Sequence, residues 1–178
     1  MIMSLFGRKP KNANAAIVDS LYAALINAGR LPVIYADFGV PDTPLGRFES
    51  LSAHMIVFLH RTRATEPALE ALAQDILDEF FKDVDHSIRE LGIGDSSVPK
   101  RMKKLGKMFY GRMGSYWEAI DNNDTAALGQ ALARNIAPEA AESLNAEAFG
   151  THLMGWRQAL AQVDNATLLS GRMIDGQS

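Results

Sequence analysis

The 178-residue chain contains no cysteine, which excludes disulfide bonds, thiolate metal sites and a cysteine nucleophile. Strongly apolar runs such as Met55 to Leu59 are far too short to span a bilayer. Met1 to Lys11 is basic but lacks the apolar core of a signal peptide. The net charge of -3 gives no reason to expect general nucleic-acid binding. These absences favour a protein that is soluble or attached only at a membrane surface.

Apolar residues recur at helical spacing in nearly every long segment of the chain. The segment Leu31 to Phe38 has no second run of β-branched residues to pair with, so it is predicted as a helical turn. The pattern predicts an all-α, single globular domain of about six to seven helices over residues 12–165. We expect a flexible N-terminal arm at 1–11, which could touch an anionic membrane, and a mobile C-terminal tail at 166–178.

The most informative stretch runs from Asp83 to Arg112 and joins an acidic helix end to a basic amphipathic helix. At about 100° per residue, apolar residues beyond Ser97 form one stripe on that helix. The stripe consists of Val98, Met102, Leu105, Phe109, Met113, Tyr116 and Ile120. The opposite side carries Lys100, Lys103, Lys104 and Lys107, with Arg101 at its margin. One face is therefore predicted to pack in a core, while the other meets water, phosphate, lipid head groups or an acidic partner.

The turn before the basic helix contains Gly92-Ile-Gly94-Asp95. A nucleotide-binding fingerprint would need a preceding strand and a third glycine that opens a helix, and the turn has neither. The two glycines are instead expected to allow positive φ at a helix–helix corner. The corner is flanked by Asp85, Arg89, Glu90 and Asp95, which could pair with one another or with the following helix. Pro99 fits the first turn of that helix, with Ser96 or Ser97 as its N-cap.

Two groups of residues could bind a metal or take part in catalysis, but a purely structural role explains each of them better. His54 lies in a helix that is apolar around much of its girth, which favours a histidine bonded to a neighbour through one nitrogen. His54 and His60 are six residues apart, so they point to different faces and cannot form a helical metal pair. Asp75 and Glu79 lie one turn apart, a spacing typical of a solvated acidic face. No catalytic, cofactor-binding or metal-binding residue is therefore predicted.

Three segments carry a resemblance to a known family. RELGIGDSSVPKRMKKLGKMFYGR (89–112) closely resembles the signature of the ubiquinol–cytochrome c chaperones, which are assembly factors for respiratory complex III. GVPDTPLGRF (39–48) resembles the loop that leads into the family's histidine-bearing apolar helix, and YGRMGSY (110–116) resembles its FYGR segment with the aromatic residue that follows. His86 departs from the pattern, because many relatives have an arginine there.

The resemblance implies a chaperone of the bacterial type that binds newly made cytochrome b and is not an enzyme. The resemblance implies no cofactor. The partners of the protein would be cytochrome b as client, a second assembly factor, and a membrane or ribosome surface, but no specific nucleic-acid sequence. The implied location is the cytoplasm, at the inner face of the bacterial inner membrane. The residues expected to bind client or partner are Arg89, Gly92, Gly94, Asp95, Pro99, Lys100, Lys103, Lys104, Lys107, Tyr110 and Arg112.

One alternative is a ribosome- or membrane-surface-binding helical adaptor that uses the basic helix at 97–120. Strong salt dependence of RNA binding would favour the ribosome-binding form of that adaptor. A small enzyme is a weaker alternative, because the sequence offers no nucleophile motif, metal cluster or phosphate loop.

Overall fold

The structure, a computed structural model, describes residues 11–92, 94–138 and 143–174, with side chains from Asn14 onward. Within these residues the regular structure is entirely helical, which confirms the all-α prediction. The helices are α1 (Lys11–Gly29), α2 (Pro32–Ala36), α3 (Pro44–Thr62), α4 (Pro67–Glu90), a 3-10 turn (Asp95–Ser97), α5 (Val98–Asp121), α6 (Thr125–Ile136), α7 (Ala146–Ala161) and α8 (Asn165–Leu169).

Helix α3 is the centre of the fold. Every residue from Phe48 to Phe58 is buried, and the helix packs against α1, α4, α5, α6 and α7. This burial explains why its apolar residues spread around so much of its girth. At its start, the Thr43 hydroxyl accepts a hydrogen bond from the Gly46 amide at 3.1 Å, and Pro44 occupies the first turn. The Pro-rich loop before α3 therefore acts as a defined helix start.

Gly29 ends α1 and does not adopt the left-handed conformation common at helix ends. Its small size serves a close helix crossing instead. A Cβ atom at this position would lie 3.1 Å from the Cα atom of Leu51 in α3. The Gly29 carbonyl accepts a hydrogen bond from the Ser50 hydroxyl at 2.8 Å and another from the Tyr35 hydroxyl at 3.0 Å. These contacts join the end of α1 to α2 and α3.

The stretch Asn14–Ala36 has a mean hydropathy of 1.3 and is long and apolar enough, by composition alone, to cross a membrane. In the fold, however, α1 ends at Gly29 and Pro32 starts a separate helix. Leu21 and Leu25 of α1 are completely buried in the core. Packing of one face of α1 within the domain accounts for part of this apolar composition.

The ends of the helical body differ from the sequence expectation. The chain is already helical at Lys11, one residue before the predicted start of the domain at residue 12. Past residue 165, α8 places Leu168 in the core, and the Ser20 hydroxyl donates to the Gly171 carbonyl at 2.7 Å. The packed body therefore continues beyond the boundary predicted at 165. Residues 1–10 of the expected arm and 175–178 of the expected tail lie outside the described residues.

Candidate binding groove

Helices α4 and α5 form a hairpin whose corner is the glycine-containing turn. Gly92 has a φ of 72°, as expected for a corner glycine, whereas Gly94 has a φ of -56° that any residue can adopt. The prediction of positive φ is therefore right for Gly92 and wrong for Gly94. Arg89 pairs with Asp85 at 2.7 Å and with Asp95 at 2.9 Å. These exposed ion pairs, which raise the pKa of Arg89 and lower that of Asp85, span the corner but contribute little stability.

The apolar stripe of α5 packs as the sequence predicts. Val98, Phe109, Tyr116 and Ile120 are buried, while Met102, Leu105 and Met113 are half-buried. The Phe109 ring lies 5.4 Å from that of Phe80 and 5.5 Å from that of Phe81, both in α4. Pro99 stands in the first turn of α5, and Ser97 precedes the helix but makes no side-chain capping bond. Aromatic packing therefore holds the two arms of the hairpin together.

A groove of about 530 Å³ lies between the hairpin and the N-terminal part of α3. Its apolar lining includes Phe48, Leu51, Phe80, Val84, Leu105 and Met108. Leu45 and Leu91 also line it and are 52% and 58% exposed, which makes them two of the three large apolar residues that the described structure leaves exposed. A soluble domain rarely keeps such residues beside an open apolar groove unless the groove binds something.

The groove also has cationic residues. Arg30 follows α1, Arg47 belongs to α3, and Arg101 and Lys104 come from α5. Arg47 pairs with Asp42 at 2.7 Å, but Arg30, Arg101 and Lys104 form no ion pair with any described carboxylate.

Two carboxylates share the lining with these cations, those of Asp83 and Glu90. The Asp83 carboxylate accepts a hydrogen bond from Tyr22 at 2.9 Å, and Glu90 pairs with His86 at 3.1 Å. Four cations and two carboxylates line the groove, and Asp42 offsets the charge of Arg47, so the groove and its surroundings keep only a small net positive charge.

The predicted lysine group is divided between two surfaces. Lys104 lines the groove, while Lys100, Lys103 and Lys107 are exposed outside it. Tyr110, 56% exposed, also lies outside the groove lining. Gly111 and Gly114 are exposed on α5 as well, and a Cβ atom at either position would meet no described atom within 4 Å. Close packing by another helix of the described chain therefore does not explain these two glycines.

Arg112 corrects the expectation of a partner-facing residue, because it is buried, with an exposed side-chain fraction of only 7%. One of its terminal nitrogens lies 2.7 Å from the carboxylate of Glu49 in α3, which is 2% exposed, and 3.5 Å from the Asn135 carbonyl. Burial raises the pKa of Glu49 to about 7, and the charge of Arg112 opposes that rise. Arg112 thus joins α5 to α3 in the core.

Sequence reasoning from the hairpin alone misses half of the groove. Leu45, Arg47 and Phe48 lie in the segment 39–48, and they face the 89–112 segment across the groove. That segment resembles the same family, so the resemblance was a signal that both segments build one site. Glu49 was missed as well, although a carboxylate within a continuous apolar helix face signals a buried ion pair.

The other candidate chemical groups have structural partners. Nδ1 of His54 donates to the Ser50 carbonyl at 2.8 Å in a fully buried setting, so the imidazole is bonded through one nitrogen as expected. Asp75 accepts a hydrogen bond from Asn14, and Glu79 pairs with Lys82. Among the described residues, no group of three or more histidine or carboxylate side chains is placed to hold a metal ion.

Comparison with known proteins agrees with this arrangement. The model of the ubiquinol-cytochrome C chaperone family matches residues 36–174, which include both segments that line the groove. A crystal structure of the Cbp3 homolog from Brucella abortus is similar along the whole chain, with 51% identity and a TM-score of 0.84. The match covers 99% of this chain and 98% of the Brucella chain. None of the curated proteins matches the chain significantly. The chain therefore belongs to the ubiquinol–cytochrome c chaperone family.

Proposed function

We propose that this protein is an assembly chaperone for respiratory complex III that holds an apolar segment of newly made cytochrome b in the groove. The observation that carries the proposal is the meeting of the two family-like segments, 39–48 and 89–112, around one open apolar groove. A chaperone of this kind needs a surface for its client and no reaction centre, and family membership argues for that non-catalytic role.

The chemistry of the groove suits an apolar helical client. Membrane subunits expose apolar side chains before they assemble, and such surfaces aggregate or are degraded when unprotected. A helix can lay one apolar face into a groove and anchor side chains at intervals of three and four residues. Leu105 and Met108 present half-buried apolar surface for such anchors, and the thioether of Met108 can adapt to varied shapes.

The proposal places the protein in the cytoplasm, at the inner face of the bacterial inner membrane, where it would meet its client during synthesis. The exposed face with Lys100, Lys103 and Lys107 remains available to a second assembly factor or a ribosome.

The test uses exposed residues, so that the substitutions do not disturb the core. Leu45→Glu combined with Leu91→Glu puts two charges beside the groove, while Tyr110→Glu puts a charge on an equally exposed residue outside its lining. We expect the double variant to capture much less cytochrome b from detergent-solubilised native membranes than the wild type does, and Tyr110→Glu to capture a normal amount.

The same variants should be tested for function in a deletion strain. The double variant should fail to restore cytochrome b absorbance and ubiquinol oxidation in the membranes, and the Tyr110 variant should restore both. Normal complex III in the deletion strain without a redundant relative, or undiminished capture by the double variant, would contradict the proposal.

A further inference from the structure

We infer that the groove opens onto an anionic membrane surface, and that the cations beside it bind lipid phosphate groups. The biological role of this docking rests on the proposed function: a chaperone oriented in this way would receive its client directly from the bilayer. The docking itself is a separate physical property that can be measured without any client.

The first support is the convergence of cations from different helices. Arg30, Arg47, Arg101 and Lys104 come from three separate parts of the chain and meet at one groove, although the whole protein has a net charge of -3. Helical periodicity on α5 alone cannot produce this arrangement. Arg30, Arg101 and Lys104 lack an ion-pair partner among the described carboxylates, so they are free to bind an external anion.

The second support is the kind of apolar residue found among these cations. Leu45 and Leu91 are aliphatic, more than half exposed, and placed in the same groove lining. Surfaces that lie on membranes combine such residues with lysine and arginine, because the aliphatic groups enter the acyl boundary while the cations meet phosphate.

The same composition disfavours single-stranded RNA as the occupant. RNA-binding grooves use exposed aromatic rings on which bases stack. The aromatic residues of this lining, Phe48 and Phe80, are buried, and the exposed Tyr110 does not belong to it.

The experiment compares two double variants of the full chain that make the same charge change on the same helix. Arg101→Glu with Lys104→Glu reverses two groove cations, while Lys103→Glu with Lys107→Glu reverses two cations outside the groove. Co-sedimentation is measured, without client, on vesicles of phosphatidylcholine alone and of phosphatidylcholine mixed with phosphatidylglycerol, at low and high salt.

The wild type should bind the mixed vesicles at low salt and dissociate from them at high salt. It should not bind vesicles of phosphatidylcholine alone. Because each basic residue near an anionic surface contributes about fivefold in partitioning, the groove variant should bind roughly twentyfold more weakly or worse. The outer variant should lose only a few-fold. Circular dichroism verifies the fold, and Arg101→Gln with Lys104→Gln replaces the groove variant if the reversal unfolds it.

Equal losses for the two variants would overturn the inference, because they would show attraction to overall charge rather than docking through the groove. Absence of wild-type binding to the mixed vesicles, or binding of RNA in preference to them, would overturn it as well. Capture of cytochrome b in detergent, without vesicles, is measured in parallel. Normal capture by a variant that no longer docks separates this inference from the proposed function.

Discussion

The buried pair Glu49–Arg112 gives the sharpest prediction about this fold. Arg112→Met removes the guanidinium that lies 2.7 Å from the Glu49 carboxylate and leaves that carboxylate in the core. An uncompensated buried charge costs about 3–5 kcal/mol. Since domains have free energies of unfolding of roughly 5–15 kcal/mol, this single change should remove a large fraction of the total. For a chain of this size we expect Tm to fall by about 6–20 °C.

The pH dependence identifies the cause. In the variant, the pKa of Glu49 should rise further above its unfolded value, because desolvation is no longer opposed by Arg112. A carboxyl group with a raised folded-state pKa stabilises the fold below its unfolded pKa, and that stability is lost as pH increases towards the folded pKa. The destabilisation caused by Arg112→Met should therefore be smaller at pH 5 than at pH 8.

The double variant Glu49→Leu with Arg112→Met is the matched control. The second oxygen of Glu49 and two nitrogens of Arg112 have no hydrogen-bond partner among the described residues, so the pair is incompletely satisfied. Replacing both charges with apolar side chains is then expected to be neutral or stabilising by up to about 4 kcal/mol. Urea unfolding followed by circular dichroism measures all three proteins. A loss below about 1 kcal/mol for Arg112→Met, or a double variant as unstable as the single one, would refute this reasoning.

Three further predictions concern other parts of the fold and are measured by the same unfolding assay. Phe58→Ala and Phe109→Ala should each cost about 3–5 kcal/mol, because both rings are completely buried, and near-wild-type midpoints would contradict this. Burial lowers the pKa of His54 from 6.5 to about 4, so the free energy of unfolding should decrease as pH decreases from 6.5 towards 4. His54→Leu should make the free energy of unfolding less dependent on pH in this range. Gly92→Val should cost about 1–2 kcal/mol more than Gly94→Val, because only Gly92 has a positive φ, and equal costs would refute that reasoning.

The sequence by itself determined the helical class and the faces of the individual helices. Apolar spacing along α5 predicts the burial of Val98, Phe109 and Tyr116, and the structure confirms all three. Such patterns are readable because residues three and four apart share a helix face whatever the rest of the chain does. The family could also be recognised from the sequence, because each of its characteristic segments is a continuous run of residues.

Only the tertiary structure decided which residues meet. Arg112 is a charged residue in a surface-like sequence context, yet the crossing of α5 with α3 places it beside Glu49, 63 residues away, inside the core. The crossing also divides the lysines of α5, so that Lys104 joins Arg30 and Arg47 in the groove while its neighbours remain outside. These pairings depend on how three helices pack. Side-chain spacing within a helix favours certain crossing angles, but it does not specify which helix lies opposite or which residues meet there.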